Sequence, residues 1–130
     1  MEKIPYLKTP SVLCDNAVQF FILDDPVPSG ARLFVQHISF ENRTSGADAV
    51  RIGRGTDEGS PHWWEEQLQI VVNTVRWMDK EQHIVPDGQR VILRYDGATL
   101  GDRIHVEIEG YLTGKVLGAK SYKDIKRTEG

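Results

Sequence analysis

Cysteine is almost absent from this 130-residue chain, which contains Cys14 alone. A single cysteine excludes an internal disulfide and any zinc site built from several cysteines. Long apolar runs are missing too, and the first residues, MEKIPYLKTPSVL, carry charges and an early Pro5. This segment has the features of neither a signal peptide nor a membrane span, so we expect folding in a reducing cytoplasm and no membrane partner.

Sequence patterns of catalysis and metal binding are also missing. There is no G-x-S-x-G motif, and Cys14 lies in an apolar stretch without a basic neighbour. The glycine-rich segment GRGTDEG at 53–59 lacks the lysine of a phosphate-binding loop and carries two acids. The segment HWWEE at 62–66 lacks the second histidine of a zinc-protease helix. We therefore expect a protein that is not an enzyme and has no metal or other cofactor.

Charge is small overall and uneven along the chain. The formal net charge of −3 argues against a nucleic-acid partner for the whole domain. Residues 115–130 hold five basic and two acidic side chains, a net charge of +3, so residues 1–114 carry −6. Neither end has enough apolar sequence to fold alone. We expect an N-terminal arm over 1–10, a folded domain over 11–114 and a basic tail over 115–130, which is either a solvated end or an arm that docks on an acidic neighbour.

Short runs rich in Val, Ile, Leu, Phe and Tyr alternate with turns rich in Gly, Pro and Asp, which is typical of an all-β protein. In the clearest run, Ile104, Val106 and Ile108 alternate with polar residues, which predicts a strand with one buried face. Residues 60–69 fit a short helix, a loop or a strand. The predicted strands are 11–15, 17–24, 31–42, 49–55, 69–77, 83–85, 89–97 and 101–112. The expected fold is an antiparallel two-sheet β-sandwich, jelly-roll-like, with at most one or two short helices.

Three tryptophans, Trp63, Trp64 and Trp77, are the side chains best suited to recognition. Adjacent tryptophans in a strand point to opposite faces, so one of Trp63 and Trp64 is expected inside and the other outside. Three roles fit the pair. Either one tryptophan is a core residue while the other covers the open end of the sandwich, or the pair contacts another protein, or it forms a platform for a sugar ring.

Two longer segments show a resemblance to a known family. PVPSGARLFVQHISFEN joins a proline-glycine turn to a long strand, and VPDGQRVILRYDGATLGDRIHVEIEGYLTG joins two strands through a second glycine-rich turn. Over roughly residues 17–114 this order resembles the small β-sandwich proteins of tailed-phage particles, including capsid decoration (cement) proteins. The resemblance implies a non-enzymatic virion protein, assembled in the host cytoplasm, that binds the major capsid protein and its sister subunits, often as a trimer.

The expected interface residues are aromatic or basic: Trp63, Trp64, Tyr6, Tyr122, Lys120 and Lys123. A second hypothesis is a carbohydrate- or ligand-binding module that uses Trp63 or Trp64 as its platform. A trimer in solution favours the particle protein, whereas a monomer that binds glycans favours the module.

Overall fold

The computed structural model describes residues 3–78 and 83–114, and this part of the chain consists of strands and turns without a helix. This confirms the predicted all-β class. The ten strands are β1 (Ile4–Lys8), β2 (Ser11–Leu13), β3 (Val18–Ile22), β4 (Ala31–Asn42), β5 (Ala47–Gly55), β6 (His62–Ile70), β7 (Arg76–Met78), β8 (His83–Pro86), β9 (Arg90–Asp96) and β10 (Arg103–Gly114).

The strands form two antiparallel sheets that pack face to face. The larger sheet has the order β1-β10-β4-β7, with β2 also beside β10 and β8 also beside β4, and the smaller has the order β3-β9-β5-β6. β1 and β2 can be counted as one interrupted strand, and so can β7 and β8, which gives eight strands in all. The first pairs with the last, the second with the seventh, the third with the sixth and the fourth with the fifth. This is a long antiparallel ribbon rolled into a sandwich, the jelly-roll arrangement that the sequence predicts.

The two longest strands, β4 and β10, form the centre of the larger sheet through eleven facing residue pairs. Their register shifts once, where Gln36 is an extra residue in β4 and bulges opposite Gly110. A side chain at Gly110 would collide with the carbonyl oxygen of Phe34, so the close approach of the strands at this bulge requires glycine.

The core consists of the inward residues of both sheets. Ile104 and Ile108 are fully buried and Val106 is 3% exposed, whereas Glu107 and Glu109 are exposed. The alternation predicted for this strand is therefore confirmed. Other fully buried side chains come from both sheets: Leu33, Val35, Ile38, Phe40, Val50, Ile52, Val85, Leu93 and Tyr95. Among these, the Phe40 and Tyr95 rings meet edge to face across the two sheets at 5.9 Å.

The predicted N-terminal arm contains strand β1, which pairs with β10 along its whole length. Ile4 is 6% exposed and Tyr6 packs against the core, because alternate residues of β1 point inward. Pro5 is compatible with this position because β1 is an edge strand, where one side of the backbone has no partner. The folded domain therefore begins before residue 11. The predicted tail, residues 115–130, lies outside the described residues.

The region 60–77 differs most from the prediction. Of the alternatives for 60–69, the structure has a strand, since β6 runs from His62 to Ile70. The single strand predicted over 69–77 is wrong. Gln69 and Asn73 both have a φ of 54°, in the left-handed region, so the chain turns over 71–75 before β7 begins at Arg76 in the other sheet.

The substitution Val106→Asp should strongly destabilise the domain, by about 3 kcal/mol or more, because it buries a charge without a partner. Glu107→Gln, one residue later on the exposed face, should change the free energy of unfolding by less than about 0.5 kcal/mol. Urea denaturation followed by tryptophan fluorescence measures both. Equal midpoints for the two variants would mean that the register is wrong by one residue.

Candidate interaction surface

Five exposed apolar side chains lie within ten residues at the open side of the sandwich where β6 and β7 are the outer strands. Leu68 is 60% exposed, Val71 57%, Val72 42%, Val75 46% and Trp77 56%. We call this group the β6–β7 edge. It passes from the smaller sheet to the larger one, with Leu68 on the outer face of the smaller sheet and Trp77 on the outer face of the larger. Clustered exposed apolar residues are characteristic of contact surfaces, whereas single ones are common anywhere.

The backbone of the β6–β7 edge is held by Arg76, whose guanidinium spans the gap between the two strands. Its Nη1 donates to the carbonyl oxygen of Gln69 at 3.2 Å and its Nη2 to that of Leu68 at 3.4 Å. Its Nε donates to Oε1 of Gln67 at 3.2 Å, and Nε2 of Gln67 donates to the carbonyl oxygen of Trp77 at 2.9 Å. Both strands are thus tied to one arginine, so the apolar side chains are presented on a fixed backbone.

On the inward side of β6, polar side chains occupy positions that are apolar in the core strands. Glu65 and Gln67 face Ile52 and Val50 across the strand pair, and those two partners are fully buried. Gln67 donates from the same Nε2 to Glu65 Oε2 at 2.6 Å. These groups satisfy one another and Arg76, which makes a polar closure at this side of the sandwich.

The turn between β6 and β7 is anchored to the end of β4. The backbone N–H of Asn73 donates to the carbonyl oxygen of Asn42 at 2.7 Å. Asn42 is 2% exposed, and its Nδ2 donates to Asp102 Oδ2 at 3.1 Å while its Oδ1 accepts from the N–H groups of Thr44 and Ser45. This buried asparagine therefore connects the exposed turn to the centre of the larger sheet.

The adjacent tryptophans have different environments. Trp64 is the extra residue of a β-bulge in β6, packs against the core and stacks on His83 with ring centroids 4.6 Å apart. Trp63 pairs with Gly53, which follows the inward Ile52 and therefore belongs to the outer face of the smaller sheet. A side chain at Gly53 would collide with the backbone of His62 and Trp63, so the bulge requires glycine at this position.

The remaining predicted interface residues are not brought together with the tryptophans. Tyr6 lies on β1, at the opposite side of the sandwich from β6, and its ring packs against the core. Burial, with a smaller contribution from Asp25, raises the pKa of Tyr6 to about 12. Tyr122, Lys120 and Lys123 lie outside the described residues.

Sequence reasoning missed most of the β6–β7 edge, because Val71, Val72 and Val75 belong to residues 69–77, which the sequence predicts as one strand, and Leu68 belongs to 60–69, which fits several structures. A usable signal was present in the polar residues Gln69, Asn73 and Thr74, which interrupt that apolar run. Asparagine tolerates the left-handed conformation, so Asn73 is a reasonable marker of a turn.

No group of histidine, cysteine and acidic side chains suited to holding a metal ion is found within 3–78 and 83–114. Nor does that part of the chain contain a helix long and apolar enough to cross a membrane.

The two tryptophans should respond differently to truncation. Trp64→Ala removes a ring that packs on the core and stacks on His83, so we expect a loss of about 2–3 kcal/mol in the free energy of unfolding. Trp63→Ala, on the outer face, should cost less than about 1 kcal/mol. Chemical denaturation of both variants measures the difference. A larger loss for Trp63→Ala would contradict the assignment of the two faces.

Comparison with known proteins adds little to this geometry. No protein-family model matches the sequence, and no curated protein matches it. Among solved structures, the chain is similar to one in the structure of infectious bursal disease virus Gt strain, with a TM-score of 0.44 and 11% identity. The similarity covers 85% of this chain and 32% of that one, so this chain spans about a third of that protein's length. A TM-score at this level carries no argument about function.

Proposed function

We propose that this protein is a non-enzymatic structural component of a virus particle, of the kind that decorates the capsid of a tailed phage. It would act by binding its sister subunits and the major capsid protein, with a trimer as the expected assembly and the virion, assembled in the host cytoplasm, as its location. The observation that carries the proposal is the β6–β7 edge, with five exposed apolar side chains on a clamped backbone.

The β6–β7 edge is already ordered in the folded domain, which supports its role as a binding surface. A binding surface loses less free energy on association when its backbone and side chains are already ordered. Arg76 and Gln67 hold β6 and β7 together before any partner arrives, and Asn42 fixes the turn between them. Trp77, at the end of this edge, is the type of side chain that most often dominates the free energy of an interface.

The fold is compatible with this proposal without specifying it. Jelly rolls serve as viral capsid domains, but also as lectins and enzymes, so the topology alone does not choose among them. The structure supports the carbohydrate-binding alternative less than it supports the particle protein. The stacking of Trp64 on His83 occupies one face of its ring, which leaves Trp63 as the tryptophan of the pair on the outer face.

Size-exclusion chromatography with light scattering tests the proposal on the full chain. The double variant Val72→Ser/Trp77→Ser removes two apolar side chains of the β6–β7 edge that are exposed in the folded domain, so it should leave the fold intact. We expect a trimer for the unaltered protein and a monomer for this variant, with the same β-type circular dichroism spectrum for both.

The matched control is Leu13→Ser/Leu100→Ser, because these residues are 52% and 65% exposed but lie away from the β6–β7 edge. This control should keep the mass of the unaltered protein. A monomeric unaltered protein that binds sugars on a glycan array would contradict the particle role. An edge variant with unchanged mass would contradict the role of this surface.

A further inference from the structure

A second apolar feature lies on the opposite side of the sandwich from the β6–β7 edge. A groove of about 510 Å³ runs between β1 and the segment that joins β3 to β4. Its apolar lining includes Ile4, Tyr6, Val27 and Leu112, with three prolines around them. We call it the Tyr6 groove. Nothing in the part of the chain described here fills it, so it has the shape and chemistry to accept a short apolar segment.

The C-terminal tail leaves the domain beside this groove. Leu112 lines the groove, and β10 ends two residues later at Gly114. Gly114 has a φ of 108°, a conformation that favours glycine and departs from the backbone of an ordinary strand. The next residues in the sequence are Lys115, Val116 and Leu117. Leu117 is three residues beyond Gly114, the last residue of β10, and three residues of extended chain reach up to about 10 Å.

Charge also favours contact between the tail and the domain. The tail carries +3 and residues 1–114 carry −6. The groove itself contains Lys8, whose ammonium group lies over the Tyr6 ring at 5.8 Å, and the exposed Asp25. Asp25 makes no hydrogen bond or ion pair with the residues that the structure describes. Its carboxylate is therefore available to the ammonium group of Lys115, which precedes the apolar pair Val116 and Leu117.

We propose that Val116 and Leu117 occupy the Tyr6 groove of the same chain, with Lys115 near Asp25. The same chain is the favoured source because a segment attached by a few residues has an effective concentration in the millimolar range. The tail of a chain that is not assembled with this one would compete only at comparable protein concentrations. This placement differs from the expectation of an arm that reaches a neighbour, and it does not depend on the proposed function.

Trypsin cleavage of the full chain tests this placement, with the products identified by mass spectrometry after brief digestion. When opening is fast relative to cleavage, the cleavage rate follows the population of the open form. Cleavage after Lys115 should therefore be about tenfold slower than cleavage after Lys120, which lies beyond the docked segment. Val116→Ser/Leu117→Ser should remove this difference, and the control Ile125→Ser should keep it.

A variant in the groove and a matched control outside it test the contact with Lys115. Asp25→Asn should speed cleavage after Lys115 several-fold, whereas Asp24→Asn, whose residue is equally exposed but does not line the groove, should leave the rate unchanged. Equal rates in these two variants would overturn the placement, as would equal cleavage after Lys115 and Lys120 in the unaltered chain. Unchanged protection of Lys115 in the Val116→Ser/Leu117→Ser variant would also overturn it.

Dilution separates the two possible sources of the tail. Docking within one chain predicts that Lys115 is as protected in a dilute solution, where light scattering shows a monomer, as at about 100 μM protein, because the event is intramolecular. Protection that disappears on dilution would mean that the groove holds a neighbour's tail, which contradicts the proposal. The oligomer masses of the β6–β7 edge variants are a separate readout, so either proposal can fail without the other.

Discussion

The antiparallel pairing of β4 with β10 is the contact on which the rest of the structure depends. These two twelve-residue strands occupy the middle of the larger sheet, and every other strand of that sheet pairs with one of them. β1 and β2 are added along β10, and β7 and β8 along β4. A slip of one residue in this register would turn Ile104, Val106 and Ile108 toward water and would displace both edges of the sheet.

The same pairing determines where the candidate surfaces lie. At one side of the sandwich, Asn42 at the end of β4 anchors the turn of the β6–β7 edge, and Arg76 closes the gap between the sheets. At the other side, β1 pairs with the end of β10, which places Leu112 in the Tyr6 groove just before the tail begins. Two apolar surfaces thus lie on opposite sides of one domain, each positioned by an end of a central strand.

The sequence predicted the class of fold and the central strands well, because these strands bury one face and so alternate with period two. It failed at the edges for identifiable reasons. In β1, two positions of five point into the core, and Pro5 favours an extended arm unless the strand is known to lie at an edge of the sheet. In β6, the inward side carries Glu65 and Gln67, so the buried-face pattern is missing. Their partner Arg76 is distant enough in sequence that only the folded chain reveals the contact.

We propose that the protein assembles through the β6–β7 edge. Hydrogen–deuterium exchange by mass spectrometry tests it most directly, with the full chain compared at a dilution that gives monomer and at a concentration that gives the oligomer. Assembly through this edge should slow exchange by about tenfold in peptides that span residues 68–77, while peptides from β9 and β10 should keep their rates. Slower exchange in β3 or β10 with unchanged rates over 68–77 would contradict it.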